Sequence, residues 1–330
     1  MTPLFLIQSH NNPDHLARLT RVILRGCPRS IVLVSHDARG TPISAALFGR
    51  DSRVAIVDGF GGRGNFDILD GYLAALGWLR DHKVDYDWLT NLSGQDYPVS
   101  SLAAFADDLS RATHDGYLHH FDAIAQDART MAPMSWPPEQ GYERYCFQYV
   151  KYKERLGLLE RAALRAPRLV LKRWSSLRID TAYGLMIGRR AARTPFTPQL
   201  RCYAGSYWHT IRRHCADYLL HFADSRPEVV EYMRHVLIPD ECFVQTILVN
   251  NPDLRFVNDN RRYFDMHGSR LGHPRVMTEA DLPHFVGKRY VFARKFDPAS
   301  GSALFDLLDQ YALEGAPRQN DRARYVDALS

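Results

Sequence analysis

The sequence predicts an α/β fold built on a mostly parallel, Rossmann-like sheet, and three observations predict it. Compact apolar runs alternate with stretches of helical apolar spacing through the first third of the chain. The length of 330 residues and the hydrophobic content of 45% are enough for a sizeable core. From about residue 125 the regularity breaks into a segment rich in Pro, Met and aromatic residues, as expected of a substrate-facing insertion. Ligands of such a sheet bind outside the carboxyl ends of its strands.

The elements follow in order. "PLFLIQSH" is a compact strand, and "NPDHLARLTRVILRG" is a helix with Leu16, Leu19 and Ile23 on one face and Gly26 closing it. "SIVLVSHD" and "RVAIVDGF" are two further strands of buried type, "NFDILDGYLAALGWLR" is an amphipathic helix, and "WLTNLSG" is a fourth strand. The helix "SLAAFADDLSRA" and the strand "GYLHHFDA" continue the pattern. After the irregular "ARTMAPMSWPPEQGYERYCFQYVKYK" comes a basic stretch in which Leu156, Leu159 and Leu164 fit one helical face and the arginines the other. That stretch, residues 155–178, reads either as a solvated helix packed on the domain or as a peripheral contact with a membrane, an anionic acceptor or a partner. "EVVEYMRHVL" and "DECFVQTILVN" are further helices, and "EGAPRQNDRARYVDALS" is a loose tail. The organisation expected is one domain over 1–313, with a nucleotide-binding half (1–122), an acceptor and catalytic half (123–300), and the tail 314–330.

Composition narrows the function. A formal charge of +5 suits a small polyanion such as a nucleoside diphosphate and falls short of a nucleic-acid footprint. The five cysteines are odd in number, scattered and without zinc-site spacing, so they read as buried thiols in a reducing compartment. No run approaches the length of a membrane span, and a cytoplasmic location is expected.

Several short stretches carry candidate chemistry. In "GFGGRG", Gly59, Gly61 and Gly64 match a dinucleotide fingerprint, but the match follows the third strand and lacks an acidic residue ending the next one. A glycine turn lining a ligand cleft, with Gly64 in it, is the better reading. "DYD" (Asp85 to Asp87) has the D-x-D form that holds a divalent ion on a diphosphate, yet it enters the fourth strand rather than leaving it. "PDE" places Asp240 and Glu241 at the start of an apolar helix, where carboxylates also serve as ordinary dipole partners. "GSYW" offers Ser206, Tyr207 and Trp208, and "FARKF" offers Arg294 and Lys295. In "LSGQDYP", Asp96 stands either beside a sugar as a hydrogen-bond acceptor or as a turn-stabilising residue before Tyr-Pro.

Taken in order, "NLSGQDYP", "GSYW", "PDECFVQT" and "FARKFD", with "IQSHNNPDHLARL" and "VLVSHD" before them, resemble the core-2/I-branching β-1,6-N-acetylglucosaminyltransferases and peptide O-xylosyltransferases of glycosyltransferase family 14. The resemblance spans the chain to about residue 297. It implies a GT-A type fold and an inverting, metal-independent transfer of a sugar from a UDP-sugar to a hydroxyl of a glycan or glycoconjugate. It implies Glu241 as general base and Lys295, with Arg294 beside it, at the donor diphosphate. A second cation there is Arg270 or, failing that, Arg275. Asp37, with His10 nearby, would meet the nucleoside; Arg144 and Tyr145 in "YERY" and Tyr263 in "RRYF" would serve the acceptor side, and Ser206, Tyr207 and Trp208 the sugars. Eukaryotic members carry a Golgi anchor and disulfides; this chain shows neither pattern and so looks like a stand-alone bacterial-type enzyme.

The chemistry is coherent apart from the resemblance. In-line displacement needs a base on the acceptor and positive charge on the leaving diphosphate. A cation about 4 Å from a phosphate oxygen contributes roughly 4 kcal/mol at an effective dielectric near 20, so Arg and Lys together can stand where a divalent ion would. No metal cofactor is therefore expected. The alternative is a catalytically inactive carbohydrate- or nucleotide-binding module of the same fold.

Overall fold

The computed structural model describes residues 1–62, 64–125, 136–137, 139–174, 176–267 and 274–315. Its strands in chain order are β1 (Pro3–Ser9), β2 (Ile31–Asp37), β3 (Val54–Gly59), β4 (Trp88–Ser93), β5 (Asp96–Pro98), β6 (Gly116–Leu118), β7 (Phe121–Asp122), β8 (Phe147–Lys153), β9 (Leu177–Asp180), β10 (Leu185–Arg190), β11 (Tyr203–Ala204), β12 (His209–Arg212), β13 (Phe256–Val257), β14 (Arg262–Phe264) and β15 (Phe292–Arg294). The central sheet has the order β13-β6-β12-β4-β1-β2-β3. Strands β3, β2, β1 and β4 are mutually parallel, β12 runs antiparallel to β4 and β6, and β13 is parallel to β6. The α/β class, with a mostly parallel central sheet flanked by helices, is the one observed.

The compact apolar runs are explained by burial on both faces of this sheet. Side chains alternate across a strand, so Leu4, Leu6, Leu33 and Leu89 enter one core. Phe5, Ile7, Val32, Val34 and Leu92 enter the other. The first core is closed by the helices Asp67–Asp81, Arg213–Ser225 and Phe243–Val249, the second by Pro13–Gly26 and Ser302–Glu314. Helix Pro13–Gly26 starts with Pro at its first position and has Asp14 in its first turn and Arg25 in its last, each complementing the helix dipole. Ser101 caps Leu102–Arg111 by accepting from the Ala104 N–H at 3.2 Å. All five cysteines are buried and free of disulfides.

β1 has β2 on one side and β4 on the other, and the chain leaves it in both directions. That is the topological switch point at which a crevice opens over the carboxyl ends of an α/β sheet. Beside it β5 pairs antiparallel with β15, which pairs with β14, and this places Asp96 opposite Arg294 and Tyr97 opposite Ala293. The antiparallel sheet β8-β10-β9 takes β8 from "FQYVKYK", the end of the stretch expected to be irregular, and β9 and β10 from residues after it.

Some elements differ from expectation. "GYLHHFDA" is two strands in different sheets, because β7 leaves the central sheet to pair with β11. "PDE" forms a 3-10 turn, Pro239–Glu241, and the α-helix begins only at Phe243. The basic segment is two helices, Leu158–Ala163 and Arg165–Trp174. Leu156 and Leu164 are half-buried as expected, but Leu159 is 86% exposed. Arg161, assigned to the solvent side, turns inward to donate to the carbonyls of Leu156 and Thr181. The helix Ser302–Glu314 takes the first residue of the expected tail, and residues 316–330 lie outside the described residues.

Candidate active site

A cleft of about 1750 Å³ opens at the carboxyl ends of β1, β2 and β4. β1 delivers Gln8, Ser9 and His10 to it, β2 delivers Asp37, and β4 delivers Ser93 with Gln95 just beyond. Asp37 accepts from Arg39 through Nε at 3.0 Å and Nη2 at 2.8 Å, and from the Gly61 N–H at 2.8 Å. Those bonds, the Arg39 side chain foremost, hold its carboxyl down at about 2. Burial lowers the pKa of His10, against the opposing charge of Asp37 and with help from His36 and Lys295. His10 thus lies within electrostatic reach of both Asp37 and Lys295. Gly64 has φ of +71°, and a Cβ there would stand 2.6 Å from the Tyr183 ring. The glycine turn after β3 therefore lets the backbone approach the cleft closely.

Glu241 and Arg144 meet on another wall of the cleft. The Glu241 carboxylate accepts from Arg144 Nη1 at 2.6 Å. Arg144, from the helix Gln140–Tyr145, lies over the Trp136 ring with its guanidinium carbon 4.2 Å from the centroid. Burial is the largest effect on the Arg144 pKa and lowers it, but the charge and hydrogen bond of Glu241, together with Tyr145 and Tyr183, make the net shift upward. The Glu241 carbonyl accepts from the Gly205 N–H at 2.8 Å, and the Gln245 amide donates to the Ser206 carbonyl at 2.6 Å. "PDE" and "GSYW" are therefore one hydrogen-bonded unit. The Tyr207 hydroxyl bonds Gln8, which ties that unit to β1.

Arg294 and Lys295 also line the cleft. Arg294 lies over the Trp208 ring at 4.3 Å and pairs with Asp96 at 3.2 Å. The backbone of Lys295 is fixed by the Met277 N–H, which donates to its carbonyl at 2.8 Å. Tyr263, on β14 opposite Ala293, also faces the cleft.

Of the residues singled out in the sequence, the cleft brings together His10, Asp37, Gly64, Arg144, Ser206, Tyr207, Trp208, Glu241, Tyr263, Arg294 and Lys295. Three expected site residues lie elsewhere. Asp96 is 1% exposed and does not line the cleft, because its carboxylate is occupied by Arg294 and the Ser93 N–H. Tyr145 is a core residue whose hydroxyl donates to the Ile238 carbonyl at 3.4 Å. Arg275 is locked between Asp265 at 2.9 Å and Asp281 at 2.5 Å, outside the cleft lining, and its backbone carbonyl accepts from the Lys295 N–H at 3.5 Å. Arg270 lies outside the described residues.

Asp85 and Asp87 stand at the far end of β4 from the cleft. Asp85 pairs with Arg213 at 3.0 Å and Asp87 accepts from the Thr2 N–H at 2.6 Å. Among the described residues, no group of three or more His, Cys, Asp or Glu is arranged to hold a metal. The sequence reading missed Gln8, Arg39, Trp136 and Tyr183. Gln8 had a signal, a polar residue late in an otherwise apolar strand, and so did Arg39, two residues after Asp37 in a tight turn.

Residues 163–291 match the family model described as Core-2/I-Branching enzyme. Two curated relatives from Arabidopsis thaliana, beta-glucuronosyltransferases GlcAT14A and GlcAT14B, are 24% identical over 239 residues and 23% identical over 217. The alignments cover 71% and 64% of this chain but 44% and 41% of the relatives, so the chain spans less than half of their length. A solved structure of the galactosyltransferase LgtC in complex with donor and acceptor sugar analogs is similar at 11% identity and a TM-score of 0.37, covering 97% of this chain and 99% of that one.

Proposed function

We propose that this chain, which carries a core-2/I-branching enzyme domain over residues 163–291, is an inverting glycosyltransferase that moves a sugar from a UDP-linked donor to a hydroxyl of a glycan or glycoconjugate, without a divalent metal. The observation that carries the proposal is the meeting in one cleft of a carboxylate, Glu241, and two cations, Arg294 and Lys295. In this reading Glu241 takes the acceptor proton as the acceptor oxygen attacks the anomeric carbon, and the bond to the diphosphate oxygen breaks on the opposite face. Lys295 and Arg294 meet the charge that develops on the leaving diphosphate. Arg144 orients Glu241, and Asp37, Arg39 and His10 form the nucleoside end. The division into a nucleotide half and an acceptor half follows, with the donor over β1 and β2 and the acceptor against the walls that hold Glu241 and Trp208.

The test is a transfer assay. The names of the two Arabidopsis relatives put UDP-glucuronic acid in the donor panel beside UDP-N-acetylglucosamine and UDP-xylose. Activity is expected to survive EDTA, and loss in EDTA would return attention to Asp85 and Asp87. Glu241→Gln is expected to lower turnover by about a hundredfold to ten-thousandfold while UDP affinity is kept. Lys295→Ala is expected to weaken UDP binding, and unchanged affinity would remove Lys295 from the site. UDP binding without turnover over a broad acceptor panel would favour the inactive binding module.

A further inference from the structure

The surface from β8 to the end of helix Arg165–Trp174 has a chemistry that sugar transfer does not use. Residues 150–178 hold nine Lys or Arg and only two acidic residues, Glu154 and Glu160, in a chain whose total formal charge is +5. Large apolar side chains stand exposed among these cations. Leu158 and Leu159 are 87% and 86% exposed, Leu169 and Val170 68% and 58%, and Val150 and Tyr152 of β8 are also exposed. A helix on a protein surface normally turns its apolar stripe inward, yet helix Leu158–Ala163 has no buried residue. Some of the charge is met locally, by Lys151 with Glu154, Lys153 with Glu160 and Lys172 with Glu143. Arg155, Arg165 and Arg168 are exposed beside the leucines.

Leucines interleaved with arginines match one occupant better than the others. At an anionic bilayer, apolar side chains enter the boundary between headgroups and acyl chains while cations meet lipid phosphates. A second copy of this face would set like charge against like charge, and a nucleic acid would leave the leucines in water. No described helix is long and apolar enough to cross a membrane, so the contact is peripheral. Arg155, Leu156 and Arg161 of the same segment line the cleft, so this surface begins at the cleft's rim. We propose that residues 150–172 seat the chain on an anionic phospholipid bilayer, with the rim of the cleft at the lipid surface.

The experiment is sedimentation of the full chain with phosphatidylcholine vesicles, with and without phosphatidylglycerol, at low and high salt. Binding is expected only to the phosphatidylglycerol vesicles and only at low salt. Arg165→Gln with Arg168→Gln should weaken it roughly thirtyfold, at about 1 kcal/mol per cation near an anionic surface and 1.4 kcal/mol per tenfold. Leu158→Asn with Leu159→Asn should weaken it about tenfold through lost apolar burial. UDP binding serves as the folding control, since none of the four residues lines the cleft. Failure to sediment with anionic vesicles overturns the proposal. So does a leucine variant that binds like the parent, which would mean adsorption by charge alone, or a dimer in light scattering that the same substitutions dissolve.

Discussion

Replacing Asp96 by Asn tests how the cleft holds its cations. The side chain is 1% exposed, and its Oδ1 lies 3.2 Å from Arg294 Nε, with Arg294 18% exposed. At that distance the gross attraction is about 5 kcal/mol at an effective dielectric near 20. Asn keeps the shape and the acceptor for the Ser93 N–H, so the change removes charge rather than volume. It also exposes a second cation. Burial pulls the Arg262 pKa down to about 10, and Asp96 is the leading charge that opposes the fall. Breaking a buried pair from one side costs about 3–5 kcal/mol, and the partial exposure of Arg294 together with its seat on Trp208 puts the expectation at about 3 kcal/mol. Urea unfolding of Asp96→Asn, Arg294→Met and the double variant gives the coupling, expected at about 2 kcal/mol or more. Because Arg294 adjoins Lys295 in the cleft, UDP titrated onto the folded Asp96→Asn protein should bind more weakly. Additive single effects, or a loss below about 1 kcal/mol, would refute the account of Asp96 as the partner that holds Arg294.

Other substitutions and conditions probe the same framework. In Gly205→Ala the new Cβ would stand 1.9 Å from the His119 carbonyl oxygen, so backbone must move; a loss of about 1–3 kcal/mol in thermal unfolding is expected, and an unchanged melting temperature counts against the geometry. Burial lowers the pKa of His15 to about 4 and of His209 to about 3, so both fold neutral while the unfolded chain protonates near 6.5. Their contribution is full above about pH 6.5 and is lost as pH falls, by about 1.4 kcal/mol per pH unit for each histidine; a flat stability profile from about pH 6 to 4 would contradict it. Asp281, held at about 2 chiefly by hydrogen bonds from Arg275, contributes stability above the ordinary carboxyl range that disappears as pH falls toward 2. Arg275→Gln should therefore destabilise the protein at neutral pH and lose that effect near pH 2 in pH-dependent melts.

The strands β1, β2 and β4 were legible because each is buried on both faces, and double burial writes a compact apolar run into the sequence, while β3 at the sheet edge is half-buried on both. The order of motifs also led to Glu241, Lys295 and Trp208, whose common cleft no local pattern encodes. Cross-strand pairing was not legible: nothing in "LSGQDYP" names Arg294 as the residue opposite Asp96. Arg275 was misjudged for a related reason, since a cation between Asp265 and Asp281 neutralises carboxylates of its own neighbourhood before it can serve a ligand. The spacing of Leu156, Leu159 and Leu164 has a helical period, but a period does not say which side faces water, and the chain starts a new helix at Arg165 with Pro167 in its first turn.

Asp96 ends up joined to the proposed chemistry by an indirect route. It follows β4, the strand whose carboxyl end reaches the cleft, and a carboxylate in that place could bind a ligand, a metal or a side chain. Here it takes a side chain, and the pairing of β5 with β15 carries Arg294 to the cleft with Lys295 next to it in sequence. If Arg294 and Lys295 receive the diphosphate, the positive charge comes from covalently tethered groups, and Asp96 is a positioning residue. It should then lower UDP affinity when neutralised, yet leave the proton transfer at Glu241 with its pH dependence intact, whereas a sugar-binding Asp96 would change acceptor KM and leave UDP affinity alone.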